Sequence, residues 1–176
     1  MQRLQTEQWV PFPVANVFRF FANPGNLPRI MPPQQHTELI RLDLVPPPGI
    51  SAGRATVTSE DPIAAAGSKI GVSFRVVPFL PLRVRWMAEI MEFEMDRSFV
   101  DVQVRGPFQH WRHRHEFEPA AREGREGTMV RDAVEYDVGW GFLGAWAERL
   151  FVGPQMKRTF AHRQQVLEKL LANARS

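Results

Sequence analysis

The chain has 176 residues and a mass of 20.2 kDa, with 44% hydrophobic and 23% charged residues. This is the make-up of one folded domain spanning 1–176, and it excludes a disordered or fibrous chain. There is no cysteine, which excludes thiol catalysis, disulfide scaffolds and cysteine-based zinc or iron–sulfur sites.

Net charge is only +3, yet the pI is about 9.9, because 19 Arg stand against 3 Lys. The arginines are spread and interleaved with Asp and Glu. They read as solvated β faces carrying ion pairs, and no nucleic-acid partner is expected. Met1–Gln8 lacks the apolar core of a signal peptide. No run reaches the ~18 apolar residues of a membrane helix. The expectation is a cytoplasmic protein without membrane insertion.

In chain order, Arg3–Phe12 alternates Leu4, Val10 and Phe12 against Arg3, Gln5 and Glu7, as a half-buried strand does. Pro13 suits a helix start, and Val14, Val17, Phe18 and Phe21 recur at helical spacing over 13–22. Leu27, Ile30 and Met31 predict a second short helix, closed by Pro32-Pro33. Residues 37–45 alternate as a second strand. Residues 46–67 are a long connection, a functional loop or a short edge pair, with Arg54–Ser59 as its best strand candidate. From Lys69 the pattern is β: Ile70, Val72, Phe74 and Val76 share one face, and Pro78 and Pro81 bracket a turn. Further strands follow at 82–94, 97–105, 110–118 and 127–138. Their short links require antiparallel pairing, with 119–126 as a hairpin loop. From Phe142 the period becomes helical, with Gly153-Pro154 predicting a kink or restart. The sum is an α+β chain: a curved antiparallel sheet against one long C-terminal helix, with two short helices after the first strand.

Three stretches resemble the START and polyketide cyclase/dehydrase superfamily. They are Val10–Pro28, Phe99–Phe108 with Trp111–Phe117, and the series Gly127, Thr128, Asp132, Tyr136, Phe151, Phe160 and Arg163. The resemblance covers nearly the whole chain and is strongest over 99–163. It implies the helix-grip fold, a bent sheet wrapped around the long helix with a cavity between. It also implies a hydrophobic small-molecule partner such as a lipid, polyketide or isoprenoid-like compound. Some members catalyse cyclisation or dehydration.

Two registers of the strands 110–118 and 127–138 are open. One sets His113 opposite Asp132, the other, slipped by two residues, sets His115 there. Either way one imidazole gains a carboxylate neighbour, and Trp111, His113, His115, Asp132 and Tyr136 share the inward face. Two- or four-residue turns around Pro107 pair Asp101 with Arg114 and Gln103 with Arg112, on the outer face. That arrangement points Val100, Val102 and Val104 inward. A three-residue turn at 94–96 buries Trp86 and no Glu, and is preferred.

The candidate ligand-binding residues are Trp86, Trp111, His113, His115, Asp132, Tyr136, Trp140 and Phe160. Phe142, Trp146, Phe151, Met156 and Phe160 lie along the helix and read as core rather than cavity wall, and Trp140, between two glycines, reads as a gate to a pocket or a cap on the core. If the protein is an enzyme, His113 and Asp132 are the acid–base pair. His113 and His115 have the spacing of two metal ligands with Asp132 as a third, but nothing else clusters ligands, so neither metal nor cofactor is expected. A third reading is an interaction module whose core is filled by its own side chains.

Overall fold

The computed structural model describes residues 1–48, 62–76 and 82–174. The Arg54–Ser59 strand, most of the 46–67 connection and the turn between Pro78 and Pro81 lie outside the described residues. Among the described residues, seven strands form one antiparallel sheet. They are β1 (Gln2–Val10), β2 (Glu38–Asp43), β3 (Lys69–Arg75), β4 (Arg83–Glu94), β5 (Ser98–Arg105), β6 (His110–Arg122) and β7 (Arg125–Asp137). Their order across the sheet is β1-β7-β6-β5-β4-β3-β2. Helices α1 (Val14–Ala22) and α2 (Leu27–Ile30) follow the first strand. Helices α3 (Gly141–Ala147) and α4 (Gly153–Asn173) close the chain, joined by a π-helical turn at Glu148–Val152. This is the helix-grip architecture.

The local chemistry explains the element boundaries. Pro13 has no N–H to lose and opens α1, whose Val17, Phe18 and Phe20 are buried. Phe18 is the hub of the core. It meets Phe93, Phe99 and Phe117 edge-on at 5.4–6.1 Å between ring centres. β6 and β7 run further than expected. The loop placed at 119–126 is only Glu123-Gly124, both with positive φ, and Arg122 pairs Arg125. Two left-handed residues match the twist of the strands they join. The turn after β4 has three residues, but they are 95–97, between Glu94 and Ser98, rather than the expected 94–96; Trp86, Ala88 and Ile90 face inward. Outside, the arginines pair as their interleaving suggests. Arg112 and Arg114 share Glu92, and Arg131 bridges Glu118 and Glu7.

The start of the C-terminal segment departs from expectation. Trp140 (82% exposed), Phe142, Trp146 and Phe151 neither join the core nor line a pocket. Gly139, Trp140 and Gly141 all take positive φ and turn the chain away from the sheet. The π-helical turn then rotates the helix face, and only beyond Gly153 do Phe160, Arg163, Leu167 and Leu171 pack inward.

Candidate functional site

Strand pairing builds the site. His115 lies opposite Asp132, and His113 opposite Val134. This is the slipped register, in which the longer strands leave a two-residue turn. On the other side of β6, Asp101 pairs His113 and Phe99 pairs His115. The expected partner of Asp101 was Arg114. The observed register differs by one residue, which turns every β5 side chain to the opposite face. Phe99 and Asp101 therefore point inward, and Val104 is exposed. Gln103 holds the 106–109 turn, with Nε2 donating to the carbonyl of Phe108 at 2.6 Å and Oε1 accepting from its N–H at 3.2 Å.

The two imidazoles stand between two carboxylates. Nε2 of His113 is 2.8 Å from Oδ1 of Asp132, and Nδ1 of His115 is 2.9 Å from the same oxygen. Their other ring nitrogens, Nδ1 of His113 and Nε2 of His115, lie 3.5 and 3.4 Å from Oδ2 of Asp101. The rings are 3.8 Å apart, and both histidines are at most 5% exposed. Trp111 Nε1 donates to Asp101 Oδ1 at 3.0 Å. From α4, Arg163 sets a guanidinium nitrogen 3.6 Å from Asp132 and stacks on Phe160 and Phe21.

Burial and mutual attraction compete at each group. Burial would raise the Asp132 carboxyl, yet the Arg163 charge and both histidines hold it well below the usual range. Burial would likewise raise Asp101, but the adjacent His115 ring and the charge of His113 lower it. Burial, then repulsion by His115, lowers His113. For His115 the two carboxylates outweigh burial, and its pKa rises.

This cluster opens on a cavity of about 280 Å³ between sheet and α4. Ile70, Val72, Trp86, Ile90, Phe99 and Phe160 are among its apolar walls. Among the described residues, its titratable lining is Asp101, His113, His115 and Arg163. Of the expected ligand-binding residues, Trp86, Trp111, His113, His115 and Phe160 do line it. Asp132 does not; it lies behind the imidazoles. Tyr136 does not either. It is four residues along β7 from Asp132, roughly 13 Å, and its hydroxyl donates to Glu148 at 3.0 Å. Trp140 is on the surface, so it gates nothing here.

Asp101 and Arg163 were not among the expected site residues, although both lie in the stretches that carry the resemblance. The Val100-Val102-Val104 alternation argued for the wrong face of β5. Arg163 showed helical spacing with Phe160, but no property marked it as a charge that α4 would bury.

A family described as polyketide cyclase / dehydrase and lipid transport matches residues 10–164, and the chain belongs to that family. Among solved structures, TTHA0849 from Thermus thermophilus is similar, with 19% identity and a TM-score of 0.66. It covers 99% of this chain and 100% of its own. A norcoclaurine synthase point mutant from Thalictrum, in complex with a transition-state analogue, has 15% identity and a TM-score of 0.59, covering 99% and 96%. A major latex-like protein from Panax ginseng has 12% identity and a TM-score of 0.57, covering 96% and 95%. At these identities the likeness is one of fold. No curated protein sequence matches the chain. Among the described residues, no helix is long and apolar enough to cross a membrane.

Proposed function

We propose that this protein binds a hydrophobic small molecule in the cavity between sheet and α4, with the ligand's oxygen-bearing end against Asp101, His113 and His115. The observation that carries this reading is the cavity itself: about 280 Å³, apolar on most sides, with charge gathered at one cluster. Small-molecule sites have this character, and the volume is close to the lower end of their ~300–1,000 Å³ range. It also weighs against a core filled by the protein's own side chains. Displacement of a fluorescent apolar dye tests the reading. Ala88 faces the cavity, so Ala88→Trp places an indole there and abolishes dye uptake while the far-UV spectrum is unchanged. Dye uptake that is indifferent to Ala88→Trp sinks the proposal. Native mass spectrometry of material that co-purifies with the protein then names the ligand class.

A second reading, acid–base catalysis, rests on one specific feature. Two imidazoles, His113 and His115, line the cavity side by side, each close to Asp101. An imidazole that faces a bound ligand can take up and return a proton. His113 replaces the expected His113–Asp132 pair as base, because Asp132 is screened from the cavity. The fold also carries an enzyme in the norcoclaurine synthase. On this reading His113→Gln abolishes turnover of a bound ligand while dye affinity survives.

A further inference from the structure

We propose that Asp101, His113 and His115 form a site for a first-row divalent transition ion in the cavity wall. One donor atom from each lies within 4.8 Å of the other two. Two of the separations, from Asp101 Oδ2 to His113 Nδ1 and His115 Nε2, are 3.5 and 3.4 Å. Those distances are long for hydrogen bonds. They match the edges of a coordination tetrahedron, about 3.4 Å for metal–ligand bonds near 2.1 Å.

The surroundings of the three donors point the same way. Metal-bound histidines usually donate their other ring nitrogen to a carboxylate, which fixes the tautomer and turns the free lone pair toward the ion. Here the remote nitrogens of both histidines lie 2.8 and 2.9 Å from one oxygen of Asp132. The His113 contact has hydrogen-bond geometry, and with the proton on that side its Nδ1 presents a lone pair toward Asp101; the same tautomer of His115 would present Nε2. Asp101 is oriented too, since Trp111 occupies its Oδ1 and leaves Oδ2 free for the ion. All three ligands sit on paired strands, which hold a site more firmly than loops do.

The Asp101 and Asp132 carboxylates with Arg163 carry a net charge of −1, so the cluster attracts a divalent ion and is left at +1 once it binds, which favours an anionic oxygen as a further ligand. Two histidines and one carboxylate suit zinc, iron or cobalt better than calcium or magnesium, which prefer oxygen. Because Asp101, His113 and His115 all line the cavity, the remaining coordination positions face it. An oxygen on the ligand proposed above would complete the shell; only that last step rests on the binding reading.

The test uses the whole chain, stripped with a chelator, and Zn2+ or Co2+ alone as probe. Calorimetry is expected to give one Zn2+ per chain with Kd at or below about 1 μM, and Co2+ the visible bands of a four- or five-coordinate ion. His113→Gln and Asp101→Asn keep the side-chain bulk, and each is expected to weaken binding at least ~100-fold. Asp132→Asn, acting through the imidazoles, is expected to cost about 10–100-fold. A variant lacking His36, His110 and His162 should bind as the parent does. Zinc binding weaker than about 1 mM overturns the proposal. So does binding indifferent to His113→Gln and Asp101→Asn, or binding lost with the three outlying histidines. Dye displacement on metal-free protein is read separately, so failure of the ion site and failure of the ligand cavity are distinguishable.

Discussion

Asp132→Ala removes the carboxylate on which the whole buried cluster leans. Its oxygen lies 2.8 and 2.9 Å from the two histidines and 3.6 Å from Arg163, and the Asp132 side chain is 11% exposed. Taking it away leaves the Arg163 guanidinium, also 11% exposed, without its counter-charge. Removing one partner of such a buried pair costs about 3–5 kcal/mol, because the remaining charge stays desolvated. At roughly 2.1 cal/mol/K of unfolding entropy per residue, this chain has ~0.37 kcal/mol/K, so Tm should fall by roughly 8–14 °C. Differential scanning calorimetry on chelator-treated protein is the assay. Asp43→Ala is the control. It breaks an exposed pair with Arg41, worth at most ~1 kcal/mol, and should shift Tm by no more than about 3 °C. The companion variant Asp132→Ala with Arg163→Met removes both charges and should regain at least half of the loss. A fall of under about 3 °C for Asp132→Ala refutes the reasoning, since the cluster would then be solvated. Additive losses in the companion variant refute it as well, by showing that carboxylate and guanidinium act independently.

Phe18→Ala opens a void among Phe93, Phe99 and Phe117 and should cost about 3–5 kcal/mol by urea denaturation. Tyr136 is the only tyrosine, and burial together with Glu148 pushes its pKa up to about 12. The neutral phenol is therefore favoured in the folded state. The stability it contributes is complete below pH 10 and is lost as pH rises through about 12, followed by ultraviolet phenolate absorbance. Glu148→Gln should move that titration downward. Gly127→Ala would bring a methyl against the Val10 carbonyl oxygen and to 2.7 Å from the Trp9 indole, so the β1 backbone as well as the ring must shift, and the Trp9 hydrogen bond to the Ala120 carbonyl should be lost. Tryptophan fluorescence and a lower Tm report it.

Most of the architecture was legible because hydrophobic period and turn chemistry agree along the chain. Ile70, Val72, Phe74 and Val76 alternate, and all four line the cavity. The inward face of β6 was equally plain, since Trp111 and Phe117 flank His113 and His115. Strand register was harder. Loop length alone left two pairings of β6 with β7, and the choice depended on Glu123 accepting a left-handed conformation, which no periodicity reveals. β5 failed for a physical reason: valine on alternate positions mimics an inward face, and Val100 is indeed fully buried, between Glu92 and Arg114 on the far side of the sheet. The aromatic run from Trp140 to Phe151 failed because apolar composition argues for burial, while three successive positive-φ residues carry it outward.

The pairing of β1 with β7 has a consequence during synthesis. Gln2 meets Tyr136 and Val10 meets Thr128, so the contacts of this strand span 118–134 residues of chain. A ribosome adding ~5–20 residues per second needs roughly 6–27 s to deliver the partner. Over that interval Trp9 and Val10 have no sheet to join, and every backbone group of β1 that will pair stays open to stray strands. The charged and amide residues Arg3, Gln5, Glu7 and Gln8 blunt that edge. The slowest step of refolding should therefore be docking of the first nine residues of the sheet, and a chain begun at Val10 should expose β7 and self-associate.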